Sequence, residues 1–149
     1  MAIAFQDHSV GIYDCSTYSI IRHFPSTTAM ITAICFNDSG RWLFVADDAK
    51  QMRVFDIPNS MFLLLISSSI PLFLSSFLPL SLSSSLGRLI DWIEFDKKVE
   101  SVSVSYNDEF IATSHEGQIG ISIWANNSYY QDISLEKIPT SPSTYSFIQ

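Results

Sequence analysis

The sequence predicts an all-β fold: a partial β-propeller of two to three four-stranded blades, interrupted by an apolar Ser/Leu-rich insertion that is not propeller. Three observations predict it. SVGIYDC (9–15), QMRVFDIP (51–58) and GISIWAN (120–126) are short alternating strands ending on an aromatic residue, Tyr13, Phe55 and Trp124. ITAICFNDSGRWLFVA (31–46) aligns with VESVSVSYNDEFIATS (99–114), each reading as strand, Asn/Asp turn, strand. Tyr13 to Phe55 is 42 residues and Phe55 to Trp124 is 69; setting aside residues 60–86, which number 27, restores 42. A period of about 42 with four strands per unit is that of a propeller blade.

The elements then fall in order. AIAFQ, VGIYD and SIIRHF read as strands b, c and d of a first blade. ITAICF, RWLFVAD, QMRVFDI and LIDWIEF read as a complete blade, strands a to d. VESVSVS, FIATSH, GISIWA and YQDISLE read as a third. Trp42 aligns with Phe110 and Leu43 with Ile111, and Gly40 in NDSG suits a turn residue of positive φ. Tyr13 and Phe55 are each followed by an acid, Asp14 and Asp56. The boundaries are therefore 1–59 (a partial blade plus strands a to c), 60–86 (the insertion), 87–139 (strand d and the following blade) and 140–149 (a disordered tail). A closed ring holds about four to eight blades, so the chain reads as a fragment or as one part of a ring.

Residues 61–86 hold 15 apolar residues, nine Ser and two Pro, with no charge. Three readings are open. The run is long enough to span a bilayer, but Pro71 and Pro79 interrupt it. A single crossing would also separate strands c and d, which must pair as a hairpin. As an extruded loop it adds only about 2 kcal/mol of closure entropy, yet it is greasy enough to aggregate. Its Phe, Leu, Ser, Pro and Ile have pyrimidine-rich codons, which favours a retained intron or a mispredicted exon boundary.

The net charge is −7, with eight Lys and Arg against 15 acids and no basic cluster. Binding to phosphate backbones needs clustered cations, so no direct nucleic-acid binding is expected. Cys15 and Cys35 make neither a disulfide framework nor a metal spacing and read as reduced thiols. The N-terminus MAIAFQDHSV lacks the basic and apolar regions of a secretory signal. The sequons at Asn37 and Asn126 carry no weight without a secretory route.

With the insertion set aside, GRW, RVFDIP, GRLIDW, FIATSH and GISIWANNSYY running into ISLEKIP resemble the WD repeat-containing protein 36 family. Its fungal counterpart is U3 small nucleolar RNA-associated protein 21. The likeness covers nearly all of residues 1–59 and 87–140. It implies late blades of a WD-repeat propeller in the U3 small nucleolar ribonucleoprotein, within the small-subunit processome. The expected role is non-catalytic scaffolding in ribosomal RNA processing, in the nucleus and nucleolus. Partners would be other protein subunits of the ribonucleoprotein, with a membrane only if residues 61–86 anchor the chain, the alternative reading.

The sequence departs from the general WD pattern. FPSTTAM (24–30) has no Gly-His, and Ala49 and Gly117 stand where the turn Asp belongs. Phe55 replaces the strand-c Trp, whereas Trp124 keeps it. The expectation is blades held mainly by apolar packing, with Asp48 as a neighbouring substitute for the missing Asp. Tyr13, Asp14, Trp42, Phe55, Asp56, Trp92, Phe110 and Trp124 are the candidate structural blade residues, Trp92 also being placed to face a partner.

No catalytic, cofactor or metal site is expected. His8, His23 and His115 are scattered, and His115-Glu116 lacks the second His of H-E-x-x-H. Asp47-Asp48 and Asp108-Glu109 are paired acids, but both fall in hairpin turns where acids are common. His115 is expected at the surface or in a blade network.

Overall fold

The computed structural model describes residues 1–24, 29–57, 88–126 and 140–145. Strands β1 (Ala2–Ala4), β2 (Val10–Tyr13) and β3 (Ile20–Phe24) form an antiparallel sheet in chain order. Strands β4 (Ile31–Phe36), β5 (Trp42–Asp47), β6 (Gln51–Asp56) and β7 (Arg88–Phe95) form the second sheet, again in order. A short strand β11 (Ser143–Tyr145) adds to its outer edge. Strands β8 (Val99–Val104), β9 (Phe110–His115) and β10 (Ser122–Ala125) form the third sheet.

These strands are the blades expected. Residues 127–139, where the last strand d was placed, lie outside the described residues, as does the insertion. Its flanks do not: Asp56 pairs with Arg88 and Arg53 with Trp92 in one antiparallel ladder. The ends of the interrupted hairpin therefore lie side by side. The repeat also holds rung by rung, since Leu43 faces Phe55 as Ile111 faces Trp124.

Alternation along β5 explains the stacking. Successive side chains in a strand point to opposite faces. Leu43 and Val45 pack with Val10, Ile12 and Phe24 of the first sheet. Phe44 and Ala46 pack with Ile93, Phe95, Val99 and Ile111, toward the third. The second sheet is thus apolar on both faces, as a blade between two neighbours must be. The outward face of the third sheet leaves Ile123 71% exposed.

The turns are stitched to each other. Gly40 has φ of 69° and donates its amide to Asn37 O at 3.0 Å, closing the NDSG turn. The equivalent turn of the third sheet reaches back. Asp108, itself at φ of 60°, accepts from Asn37 Nδ2 at 2.8 Å and from the Asp38 amide at 3.2 Å. Thr32 Oγ1 donates to Val99 O at 2.6 Å, tying β4 to β8.

The tail differs from expectation. Within 140–149, expected to be disordered, Ser143, Thr144 and Tyr145 pair in parallel with Ile93, Glu94 and Phe95. Among the described residues no other strand pairs with this edge of β7, and an edge strand offers backbone groups to an extended segment within reach.

Candidate functional site

Among the described residues, two buried polar networks lie at equivalent ladder positions of the second and third sheets. In the third sheet, Thr113 and His115 share one face of β9 by period two, and both are buried. Trp124 Nε1 donates to Thr113 Oγ1 at 2.8 Å. An indole N–H can only donate, so the Thr113 hydroxyl accepts from it. Lys97 O can only accept, so His115 Nδ1 is the donor across their 3.2 Å, and Nε2 of the neutral ring then accepts from the Thr113 hydroxyl at 2.7 Å. The Phe95 ring packs against both His115 and Trp124, with centroids at 5.2 and 5.4 Å. This is a donor chain crossing from strand c to the loop before strand a.

Beside the apolar packing expected, this sheet keeps a buried polar network built from other members than those of the general WD pattern. Its His comes from the end of strand b, not from a Gly-His before strand a. The readable sign was Thr113-Ser114-His115, two polar residues two apart, facing the one retained Trp. Replacing Thr113 by Val removes both of its hydrogen bonds while keeping its shape. The expected loss is about 1–3 kcal/mol, read as a lower urea midpoint at unchanged slope.

In the second sheet Asp47 occupies the position of His115, and it is buried. Its Oδ2 accepts from Arg53 Nη1 at 2.9 Å, and its Oδ1 takes the Gln51 amide at 3.1 Å. Arg53 also donates to Gln51 Oε1 at 2.8 Å and lies 5.1 Å over the Trp92 ring. Trp92 Nε1 donates to the same Gln51 oxygen at 3.2 Å. Asp48, the substitute suggested by sequence, does tie the turn to the segment before strand a. Its Oδ1 accepts the Met30 amide at 2.9 Å.

The remaining candidate residues are dispersed. Tyr13 closes with Phe5 over Gly11, where an added Cβ would sit 2.9 Å from each ring. Asp14 caps its own turn through the Ser16 amide and Thr17 hydroxyl. Trp42 packs toward the third sheet and Phe55 against Phe24, ring centroids 4.7 Å apart. Asp56 pairs with Arg41 at 2.7 Å. Phe110 is 42% exposed, so it contributes less to the blade contact than Trp42, its counterpart in the repeat, which packs against the core. Among the described residues no group of three or more His, Cys, Asp or Glu is placed to hold a metal ion. Among them, too, no helix is long and apolar enough to cross a membrane.

One titratable group is strained by its place. Burial in β7 raises the Asp91 carboxyl above its ordinary value, opposed by the hydrogen bond it accepts from the Trp92 amide. A raised folded-state value means the folded chain holds the proton more tightly than the unfolded one. Stability is therefore greatest at low pH with respect to this group, and falls as pH rises past the usual carboxylate range near 4. Asp91→Asn should raise the melting temperature at pH 7, with the gain shrinking on acidification toward pH 4.

No protein-family model matches the chain. It is 29% identical over 139 residues, 93% of its length, to WD repeat-containing protein 36 of Homo sapiens. It is 26% identical to the U3 small nucleolar RNA-associated protein 21 homolog of Schizosaccharomyces pombe and to U3 small nucleolar RNA-associated protein 21 of Saccharomyces cerevisiae, over 93% and 94% of its length. The chain spans about 12% of the length of these relatives. Among solved structures it resembles the β-propeller domain of Myceliophteria thermophila Cps50 (Swd1), with a TM-score of 0.59 and 20% identity, over 85% of this chain and 36% of that one. It also resembles the C-terminal WD40 domain of Sif2, with a TM-score of 0.57 and 15% identity, over 84% and 30%. The fold is a partial WD-repeat β-propeller, and the resemblance read from the sequence extends over nearly the whole chain.

Proposed function

We propose that this chain is a non-catalytic WD-repeat scaffold segment of a ribonucleoprotein that processes ribosomal RNA, the U3 small nucleolar ribonucleoprotein of the small-subunit processome, acting in the nucleolus. The observation that carries the reading is the likeness, over 93–94% of the chain, to three relatives, two of them named for association with U3 small nucleolar RNA. The physical chemistry supports scaffolding. The polar groups that converge are engaged with one another in two internal networks, Asp47–Arg53–Gln51–Trp92 and Thr113–His115–Trp124. Stacked sheets hold loops rigidly, which suits protein contact. A net charge of −7 favours contact with protein subunits over RNA phosphates.

The test is purification of the tagged chain from cells of its source, with sequencing of the RNA and identification of the proteins that come with it. The reading expects U3 RNA and small-subunit precursor RNA to be enriched together with protein subunits, and the isolated chain to bind neither RNA. Recovery in a carbonate-resistant membrane pellet without those RNAs would overturn it.

A further inference from the structure

We propose that the outer edge of β7 is a strand-addition site and that Ser143–Tyr145 is its displaceable cover. The exchange partner is an extended, uncharged or basic peptide segment of another protein, carrying a small hydroxyl residue opposite Ile93. This does not rest on the ribonucleoprotein reading.

Strand β7 runs eight residues, and β6 pairs with it along almost its whole length. Among the described residues, the opposite edge carries the three pairs made by β11. The Phe95 amide donates to Lys50 O at 2.9 Å, across the ladder to β6. Ladder alternation then turns the backbone groups of Trp92 and Glu94 to the outer edge. The cover adds one side-chain contact, Ser143 Oγ to Trp92 O at 3.1 Å.

That cover is weak by construction. It is parallel, the slightly less stable pairing per residue. It does not lengthen upstream, because the Trp92 amide that the next rung needs is already bonded to Asp91 Oδ1 at 2.8 Å. What holds it is its tether, which supplies an effective concentration of about millimolar order.

The edge is also selective. Upstream, the Asp91 carboxylate occupies the Trp92 amide at 2.8 Å, and the β6–β7 ladder is bulged between Val54 and Phe55. Both features discourage pairing there. Addition is therefore confined to Trp92–Phe95, with register set by a hydroxyl donor meeting the Trp92 carbonyl. Asp91 and Glu94 on the accepting strand repel an acidic segment and favour a neutral or basic one.

The test is amide exchange by NMR on the full chain. The double substitution of Ser143→Pro with Tyr145→Pro strips the cover of the two amides that face β7, without touching β7. Glu94 should then exchange at least tenfold faster, while Phe95, bonded to Lys50, stays protected. Ser143→Ala alone should give a smaller acceleration at Glu94. A probe peptide of residues 141–147, titrated into the millimolar range, should restore Glu94 protection in the double variant, and a scrambled peptide should not. Unchanged Glu94 exchange in both variants, or protection not restored by the probe, would overturn the proposal.

Discussion

Phe44→Ala is expected to cost about 3–5 kcal/mol and to loosen two sheets at once. Phe44 is 1% exposed, at the centre of β5, and belongs to the core that joins the second sheet to the third. Its strand is paired on both sides, by β4 and β6. The backbone therefore cannot close in on the lost ring, and the cavity persists. Against a typical domain stability of about 5–15 kcal/mol, that loss is a large fraction. Chemical denaturation measures it. Amide exchange should show the damage on the β8–β9 side, because Val99 and Ile111 share the cavity, while Val10 and Ile12 across the other face are spared. A cost below about 1 kcal/mol would mean that the two sheets do not pack through this residue.

Asp47→Ala is expected to be of similar size for a different reason. It leaves the Arg53 guanidinium, only 15% exposed in its side chain, without its carboxylate. Removing one partner of a buried pair typically costs about 3–5 kcal/mol, because the remaining charge stays desolvated. Here the Gln51 oxygen and the Trp92 ring retain part of the interaction, placing the effect toward the lower end. The second substitution Arg53→Met should recover much of the loss, since no charge then remains to be paired. A double variant as unstable as the single one would show that the penalty comes from the Gln51 amide that Asp47 also caps.

The strand order was legible because period-two alternation and aromatic spacing are properties of the chain itself. Tyr13, Phe55 and Trp124 keep step only when residues 60–86 are set aside, and the Asp56–Arg88 pairing is the structural counterpart of that arithmetic. Alternation could not say which polar residues meet. Asp47 and Arg53 are read separately as a turn acid and a strand cation. Their pairing depends on the β5–β6 register and on Trp92 arriving from the far side of the insertion. His115 was legible as a surface or network residue, but its meeting with Thr113 and Lys97 depends on the fold of β9 against the loop before β8. Strand β11 has no sequence sign at all. Three residues after a proline carry no alternation, and they are strand only because β7 presents an open edge.

The central claim is that β6 and β7 are neighbouring strands of one blade although the chain between them runs through a long apolar insertion. Arg53 and Trp92 face each other in that ladder, at a rung where ladder alternation brings the α-protons close. A nuclear Overhauser contact between the Arg53 and Trp92 α-protons tests the claim most directly, measured in the full chain and in a variant lacking residues 60–86. The account predicts the contact in both. Its absence from both, with β4, β5 and β6 still paired, would contradict the account.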